Sequence, residues 1–314
     1  MMRVAVSATV RSQLMRPTET QSRPEAGSSL DYRTQLNHDL RRVLREPEAE
    51  WSARWWPDAG EAVLCKLLHG GDDPPDLDPE SPDGSSCSDL EEEEREAQNW
   101  NRANRRAFAN SRRYFVANRL RYQWVLTFEG DGLHGPEGRA RCMHLVALFI
   151  RRFKRAFGEM PWWFSPELHP DGHGWHVNLY VPKRLPHDRM AALWRHGFVF
   201  VSDKLRHPEV VQKGLPFVEA LRLACLYACK YASKDWSREN VPDGVHRFEC
   251  AVGFQPREES LRFMSAASAL RYVESVFGRQ AEWVWSSMDE EEWDGPPAMC
   301  LRWSSPLAVG ADDG

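Results

Sequence analysis

The sequence lacks the features that mark membrane, secreted or ATP-driven proteins. No apolar run in its 314 residues is long enough to cross a bilayer, and the first residues lack the apolar core of a secretory signal peptide. No GxxxxGK(S/T) pattern occurs, which excludes a P-loop module and therefore a fused helicase of that type. We expect a cytoplasmic protein with no membrane partner.

Cysteine is present, but it is not arranged for zinc or disulfide chemistry. The chain has seven cysteines, an odd number, and no CxxC pair, so a zinc ribbon is not expected. Cys225 and Cys229 lie one helical turn apart, and we interpret them as small buried residues of a helix. The absence of a paired framework is typical of the reducing cytosol.

An overall basic excess is also missing, but the charge is unevenly distributed. The formal net charge is −5, and the segment 72–96 alone holds twelve acidic residues and one basic residue. Without that segment the chain has 34 acidic and 40 basic residues, a net charge of +6. The remainder is mildly basic, which is consistent with a polyanionic partner.

The same patterns predict how the chain is divided. Residues 1–98 form a low-order N-terminal region in this interpretation, with helix-like patches over 30–68 and an acidic linker over about 70–96. From residue 99 onward, apolar positions recur at strand and helix spacing. We therefore predict one folded domain over 99–305, followed by a tail over 306–314.

The stretch ELHPDGHGWHVNLYV, Glu167 to Val181, reads as a turn followed by a strand. Residues two apart share a strand face, so His176 and Asn178 point the same way. The carboxylate of Glu167, just upstream, can supply a third ligand. A strand histidine is more often a hydrogen-bonded core or surface residue than a metal ligand, so a second motif is needed to support a metal site.

That second motif is YACKYASK, Tyr227 to Lys234. At about 100° per residue, its two tyrosines and two lysines fall on one helical stripe. Phenols suit nucleophilic attack on phosphate, and ammonium groups suit the charge that develops there. The residues of the stripe are Tyr227, Lys230, Tyr231 and Lys234.

A run of arginines interleaved with aromatic residues occupies 99–121, which we predict to be a helix. Arginines in this pattern can grip phosphates while the aromatic residues stack on bases. The alternative is an amphipathic helix with a solvated charged face, and the sequence leaves both open. The candidate DNA contacts are Arg105, Arg106, Arg112 and Arg113.

Together these motifs resemble the HUH endonucleases, the rolling-circle replication initiators of plasmids and phages. The resemblance is greatest to the replication-associated proteins of actinobacterial plasmids and mobile elements, grouped with phage gene II and gene A initiators. Four stretches carry it in the order of the family: WVLTFEG, ELHPDGHGWHVN, YACKYASKD and HRFECAVGFQP. It covers roughly residues 101–305. One position departs from the usual His-hydrophobic-His motif, because Asn178 stands where the second histidine is expected.

The resemblance implies an α+β fold in which helices flank a central, mostly antiparallel sheet, with a disordered N-terminal region. It implies metal-dependent nicking and rejoining of single-stranded DNA, which starts rolling-circle replication of a plasmid or phage-like element. The implied partners are single-stranded or supercoiled origin DNA, a host helicase and a polymerase. The implied site has Glu167, His176 and Asn178 around Mg²⁺ or Mn²⁺, the nucleophiles Tyr227 and Tyr231, and the cations Lys230 and Lys234.

Two alternatives to an initiator stay open at this point. A transposase or mobilisation relaxase would use the same chemistry on different DNA. A DNA-binding protein whose nuclease has decayed would keep the fold and lose the metal through Asn178, although an amide oxygen is an acceptable ligand for a hard cation.

Overall fold

The fold is a mixed α+β arrangement of two five-stranded antiparallel sheets flanked by helices. It is given by a computed structural model that describes residues 49–67, 89–129, 133–169, 174–234, 246–287 and 296–304. The strands are β1 (Trp51–Trp56), β2 (Glu61–Lys66), β3 (Tyr122–Leu126), β4 (Trp163–Leu168), β5 (Trp175–Val181), β6 (Val199–Asp203), β7 (Glu249–Cys250), β8 (Glu259–Phe263), β9 (Trp283–Ser286) and β10 (Ala298–Arg302). The helices are α1 (Asp89–Ala117), α2 (Gly135–Phe157), α3 (His187–Trp194), α4 (Pro208–Lys213), α5 (Phe217–Lys234) and α6 (Ala266–Phe277).

The central sheet has the order β6–β3–β5–β4–β7, with β5 in its middle. Alternation along β5 turns Val177, Leu179 and Val181 toward one face, where they are buried beneath α2 and α3 with Trp124 of β3. This apolar face is the main core of the protein. The opposite face of β5 carries His176, Asn178 and Tyr180, so the two faces of one strand have different chemistry.

Helices α1 and α5 cover part of this second face of the central sheet. Trp163 and Tyr180 of the sheet pack against Phe115 of α1 and against Cys225 and Cys229 of α5. The two cysteines are therefore buried helix residues, as expected. The tyrosine-bearing helix lies on the same side of the sheet as the side chains of His176 and Asn178. Among the described helices, none is long and apolar enough to span a membrane.

The second sheet has the order β8–β1–β2–β10–β9 and packs against α6. Its strands β1 and β2 come from the N-terminal region, and they pair with strands from the C-terminal part of the chain. The expected α+β class and antiparallel central sheet are present, but the second sheet was not predicted, and residues 51–56 and 61–66 form strands where helix-like patches were expected. Apolar residues of that segment, such as Trp51 and Trp55, are buried against α6. Residues 1–48 and 68–88 lie outside the described residues.

Two other expectations are also corrected. The acidic residues Glu91–Glu94 were expected in a linker, but they lie within α1, which begins at Asp89. A final strand was expected over 246–254, yet only Glu249 and Cys250 pair with β4. The helix expected over 99–121 and the helix of 217–234 are both present.

Glu61 of β2 is the charged link between the second sheet and α1. Its side chain is 1% exposed and accepts hydrogen bonds from Arg112 Nε and Nη2 at 2.9 and 2.8 Å and from Arg113 Nε at 2.8 Å. Burial raises the pKa of Glu61, but Arg112, Arg113 and Arg302 outweigh burial and bring its pKa down to about 2. Both carboxylate oxygens of Glu61 accept hydrogen bonds from these arginines. Such hydrogen bonds are what allow a buried ion pair to offset the cost of removing its charges from water.

Arg222 of α5 makes a second link to the same sheet. Its guanidinium donates to the backbone oxygens of Ala59, Gly60 and Trp303 at 3.0, 2.9 and 3.2 Å. These carbonyls lie in the β1–β2 turn and just after β10. The second sheet therefore contacts both helices that cover the face of the central sheet carrying His176 and Asn178.

We expect Glu61→Gln to lower the free energy of unfolding by about 3–5 kcal/mol, because it leaves two buried guanidiniums without their counter-charge. The folded pKa of about 2 lies below the ordinary 4.5. The carboxylate therefore stabilises the fold fully above about pH 4.5, and this contribution is lost as the pH falls toward 2. Urea unfolding of both proteins at about pH 7 and about pH 3 measures this, and the difference should be smaller at the lower pH.

Glu159→Gln is the matched control, since that side chain is 65% exposed and lies 3.1 Å from Lys154 Nζ. A surface pair of this kind contributes about 0–1 kcal/mol. Equal destabilisation by the two variants would contradict a structural role for the Glu61 cluster.

Candidate functional site

The pairing of β4 with β5 places the predicted metal ligands on adjacent strands. His169 N–H donates to Gly174 O at 2.9 Å, which continues this pairing beyond Leu168 and Trp175. Gly174 has φ +88°, and a Cβ there would lie 2.6 Å from Leu133 O, so glycine is required. The resulting register sets Glu167 opposite His176.

A hydrogen-bonded row of polar side chains crosses four strands on this face. Ser202 Oγ donates to Gln123 Oε1 at 3.4 Å, Gln123 Nε2 donates to Asn178 Oδ1 at 2.7 Å, and Asn178 Nδ2 donates to Glu167 Oε2 at 2.5 Å. His176 Nε2 lies 3.4 Å from the same Glu167 oxygen. The three predicted ligands thus meet at one point. We call this set, from Ser202 to His176, the polar row.

The polar row is largely shielded from solvent at its ligand end. Asn178 is 7% exposed, and the side chains of Glu167 and His176 are 12% and 14% exposed. His176 Nδ1 is buried and has no hydrogen-bond partner in the part of the chain that the structure describes. A carboxylate, an imidazole and an amide in such a setting match the donor types that bind divalent cations.

The third side chain of this set is the amide of Asn178, whereas most metal centres are built from histidine, cysteine, aspartate and glutamate. Within the described ranges, no three histidine, cysteine, aspartate or glutamate side chains are grouped to hold a metal ion. A site here therefore depends on Asn178 as well as on Glu167 and His176. His169 is the next histidine, with its ring centroid 5.9 Å from that of His176. It lies two residues beyond Glu167, on the same strand face.

Tyr227 lies on the surface of α5, on the opposite side of the helix from Cys225 and Cys229, which face the central sheet. Tyr227 is half-buried and lies between buried Ala224 and exposed Leu226 on the helix surface. Its ring centroid is 6.1 Å from that of His207, which follows β6. The helical positions of the other three stripe residues are described, but their side chains lie outside the described residues: Lys230, Tyr231 and Lys234.

Lys204 connects the helix side of the site to the ligand side. It begins the short 3₁₀ turn after β6, which packs against α5. Burial lowers the pKa of Lys204, and the negative charge of Glu167 partly opposes that shift. Lys204 lies on a turn that contacts the tyrosine helix, so it is a cation on this side of the sheet that the sequence motifs do not include.

Tyr180 shares the face with the ligands but differs from Tyr227 in its surroundings. It is 1% exposed, and burial raises the pKa of its phenol well above the ordinary value, with Cys225, Cys229 and Glu167 adding to the effect. Its ring packs against those of Phe115 and Trp163, with centroid distances of 4.9 and 5.7 Å. Of the described tyrosines on this side, Tyr227 is the more accessible.

The four predicted DNA-contacting arginines divide into two pairs. Arg105 and Arg106 are exposed on α1. Arg112 and Arg113 bind Glu61 and are only 13% and 11% exposed. The guanidiniums of Arg112 and Arg113 therefore link α1 to the second sheet. DNA contact by α1 stays a prediction for Arg105 and Arg106 alone.

Gln123, Ser202, His169 and Lys204 were missed from the sequence. A weak signal existed for two of them: Gln123 is a polar residue inside the apolar strand YQWVLTF, and His169 alternates with Glu167. Ser202 and Lys204 had no such signal, because their position depends on β6 pairing with β3, which brings Gln123 opposite Ser202.

The comparisons with known proteins leave the family open. No protein-family model matches the chain, and neither the curated proteins nor the solved structures contain a match to it.

Proposed function

We propose that this protein is a metal-dependent endonuclease of the HUH type that nicks and rejoins single-stranded DNA by tyrosine attack, and so initiates rolling-circle replication. The observation that carries the proposal is the convergence of Glu167, His176 and Asn178 on the sheet face that the tyrosine helix covers. The order of the four motifs supports the same assignment, and DNA is the implied substrate.

Asn178 is suited to serve as a ligand because rotating its amide gives up one hydrogen bond, from Asn178 Nδ2 to Glu167 Oε2, and keeps the rest of the polar row. Oxygen and nitrogen positions of an amide are assigned from the surrounding hydrogen bonds. Rotating Asn178 and Gln123 together turns Asn178 Oδ1 toward Glu167. Gln123 Oε1 would then accept from Asn178 Nδ2, and Ser202 Oγ would accept from Gln123 Nε2. In that state Glu167, His176 and Asn178 would each turn an oxygen or nitrogen atom with a lone pair toward one cation.

In this proposal Glu167, His176 and Asn178 hold the cation, and Gln123 sets the orientation of Asn178. A bound divalent cation supplies charge stabilisation at the scissile phosphate. Lys204, with Lys230 and Lys234, favours the phenolate of the attacking tyrosine, whose ordinary pKa is about 10.

The covalent step involves one bond made and one bond broken. The phenolate oxygen of Tyr227 or Tyr231 bonds to phosphorus as the bond from phosphorus to O3′ breaks. The products are a 5′-phosphotyrosine and a free 3′-hydroxyl, which takes up the proton that the phenol released. Attack by that 3′-hydroxyl on the phosphotyrosine reverses the step and rejoins the strand. The second tyrosine can accept the strand at termination.

We expect His176→Ala to abolish Mn²⁺ binding, measured by titration calorimetry without DNA. Gln123→Ala should weaken Mn²⁺ binding about 10- to 100-fold, the usual effect of removing a residue that orients a ligand. Asn178→His should keep the site competent, since imidazole is a ligand for the same ions. His144→Ala, an exposed histidine on α2, is the matched control and should bind as wild type.

If Mn²⁺ binds equally well to wild type and His176→Ala, the metal assignment is wrong. If wild type fails to bind while Asn178→His binds, the chain is a DNA-binding protein with a decayed nuclease, and Asn178 marks the decay.

We expect the wild type with Mn²⁺ to form a covalent adduct with single-stranded DNA from the region flanking its own gene. The adduct would be detected as a protein band of reduced mobility on a denaturing gel. Replacing both tyrosines, Tyr227→Phe with Tyr231→Phe, should remove the adduct because no phenol oxygen remains to bond to phosphorus. Each single variant shows which tyrosine attacks first.

Tyr272→Phe is the control, since this exposed tyrosine on α6 packs against Trp55 of the second sheet. Adduct formation that survives loss of both α5 tyrosines would refute the proposed nucleophiles. Absence of any adduct or nick with every DNA strand tested would refute the nuclease itself.

A further inference from the structure

Strand β6 exposes two phenylalanines beside the candidate site. Phe198, just before β6, is 67% exposed, and Phe200 within it is 58% exposed. They lie two residues apart and share one sheet face, separated by about 7 Å along the strand. The residues between and after them, Val199 and Val201, belong to the core on the opposite face. Large apolar side chains that stay in solvent at adjacent positions indicate a binding surface.

The sheet register places these rings on the face of the metal ligands. Phe200 is opposite Val125 of β3, and Val125 is opposite Asn178 of β5. Phe198 exchanges hydrogen bonds with Thr127 and so lies in the next row, toward His176. Two strand spacings of about 4.8 Å put Phe200 roughly 10 Å from Asn178 across the sheet. The phenylalanines therefore lie at the open β6 edge of the face that carries His176 and Asn178.

We propose that Phe198 and Phe200 form a stacking platform for the unpaired bases next to the scissile phosphate. The platform deepens the proposed function, on which it rests. Unpaired bases stack on aromatic side chains whatever their sequence, and stacking contributes strongly to single-strand affinity. In this arrangement the phosphate occupies the ligand end of the polar row while the adjacent bases lie over β6.

Charge complementarity favours a nucleic acid over a second copy of the chain. Basic residues flank β6 on both sides, with exposed Arg195 before it and Lys204 and exposed Arg206 after it. A polyanionic strand is attracted to this segment. A second copy that paired edge to edge along β6 would bring the same cations together.

The test is binding of a fluorescein-labelled, mixed-sequence single-stranded oligodeoxynucleotide, followed by fluorescence anisotropy in EDTA. Each of Phe198→Ala and Phe200→Ala should weaken binding about 5- to 150-fold. Phe200→Tyr should bind as wild type, whereas Phe200→Leu should be as weak as the alanine variant. The annealed duplex should bind wild type more weakly than the single strand, because its bases are not free to stack.

Leu261→Ala is the matched control, since Leu261 is 45% exposed on β8, one of the two edge strands of the second sheet. It should leave the affinity unchanged. Circular dichroism and thermal unfolding of each variant confirm that the fold is retained; because Phe198 and Phe200 are exposed, little loss of stability is expected.

Unchanged affinity in both alanine variants overturns the platform, and so does full affinity in Phe200→Leu. If sedimentation shows that wild type self-associates and the alanine variants do not, while DNA affinity is constant, β6 is a contact between two copies instead. Because binding is measured without metal, phenylalanine-dependent binding without any covalent adduct would refute the nuclease alone. Adduct formation with unchanged binding by the phenylalanine variants would refute the platform alone.

Discussion

The central constraint in this structure is the strict alternation of side chains along β5. A strand in the middle of a sheet presents every second residue to each face, and the two faces of β5 differ completely. Val177, Leu179 and Val181 complete the main core, so the strand cannot shift by one residue without exposing them. That requirement also holds His176 and Asn178 on the other face. The packing of the core thus secures the position of the candidate ligands.

The ligand face is then finished by neighbouring strands and not by β5 alone. β4 contributes Glu167, and β3 and β6 contribute Gln123 and Ser202. Because these side chains satisfy one another, a buried amide can sit next to a carboxylate without an unpaired polar group at Asn178. Such a row restrains the side chains of Glu167 and Asn178, as the residues around a metal site restrain its ligands.

The N-terminal strands β1 and β2, with the turn between them, contribute contacts between the second sheet and the helices α1 and α5. Glu61 binds Arg112 and Arg113 of α1, and Arg222 of α5 reaches the turn beside it. Both helices that cover the ligand face are therefore connected to a sheet built from the two distant parts of the chain. This connection fixes α1 and α5 against the second sheet.

Some of this was readable in the sequence. The ELHPDGHGWHVNLYV stretch determined by itself the strand β5 and the shared face of His176 and Asn178, because strand alternation is a local property. The turn expected before that strand lies outside the described residues, over 170–173. The bounds of α5 and the burial of Cys225 and Cys229 followed equally from helical spacing.

Only the tertiary structure decided which polar side chains have partners and which apolar side chains are exposed. Arginines of one helix look alike in a sequence, and Glu61, which binds two of them, lies about 50 positions away in the chain. Pairing between distant segments likewise forms the sheet of β1 and β2 and brings Gln123 beside Asn178. It also decides that the phenylalanines on β6 are exposed. Alternation and helical period report on neighbours along the chain, whereas partners and exposure are set by which strands and helices meet in space.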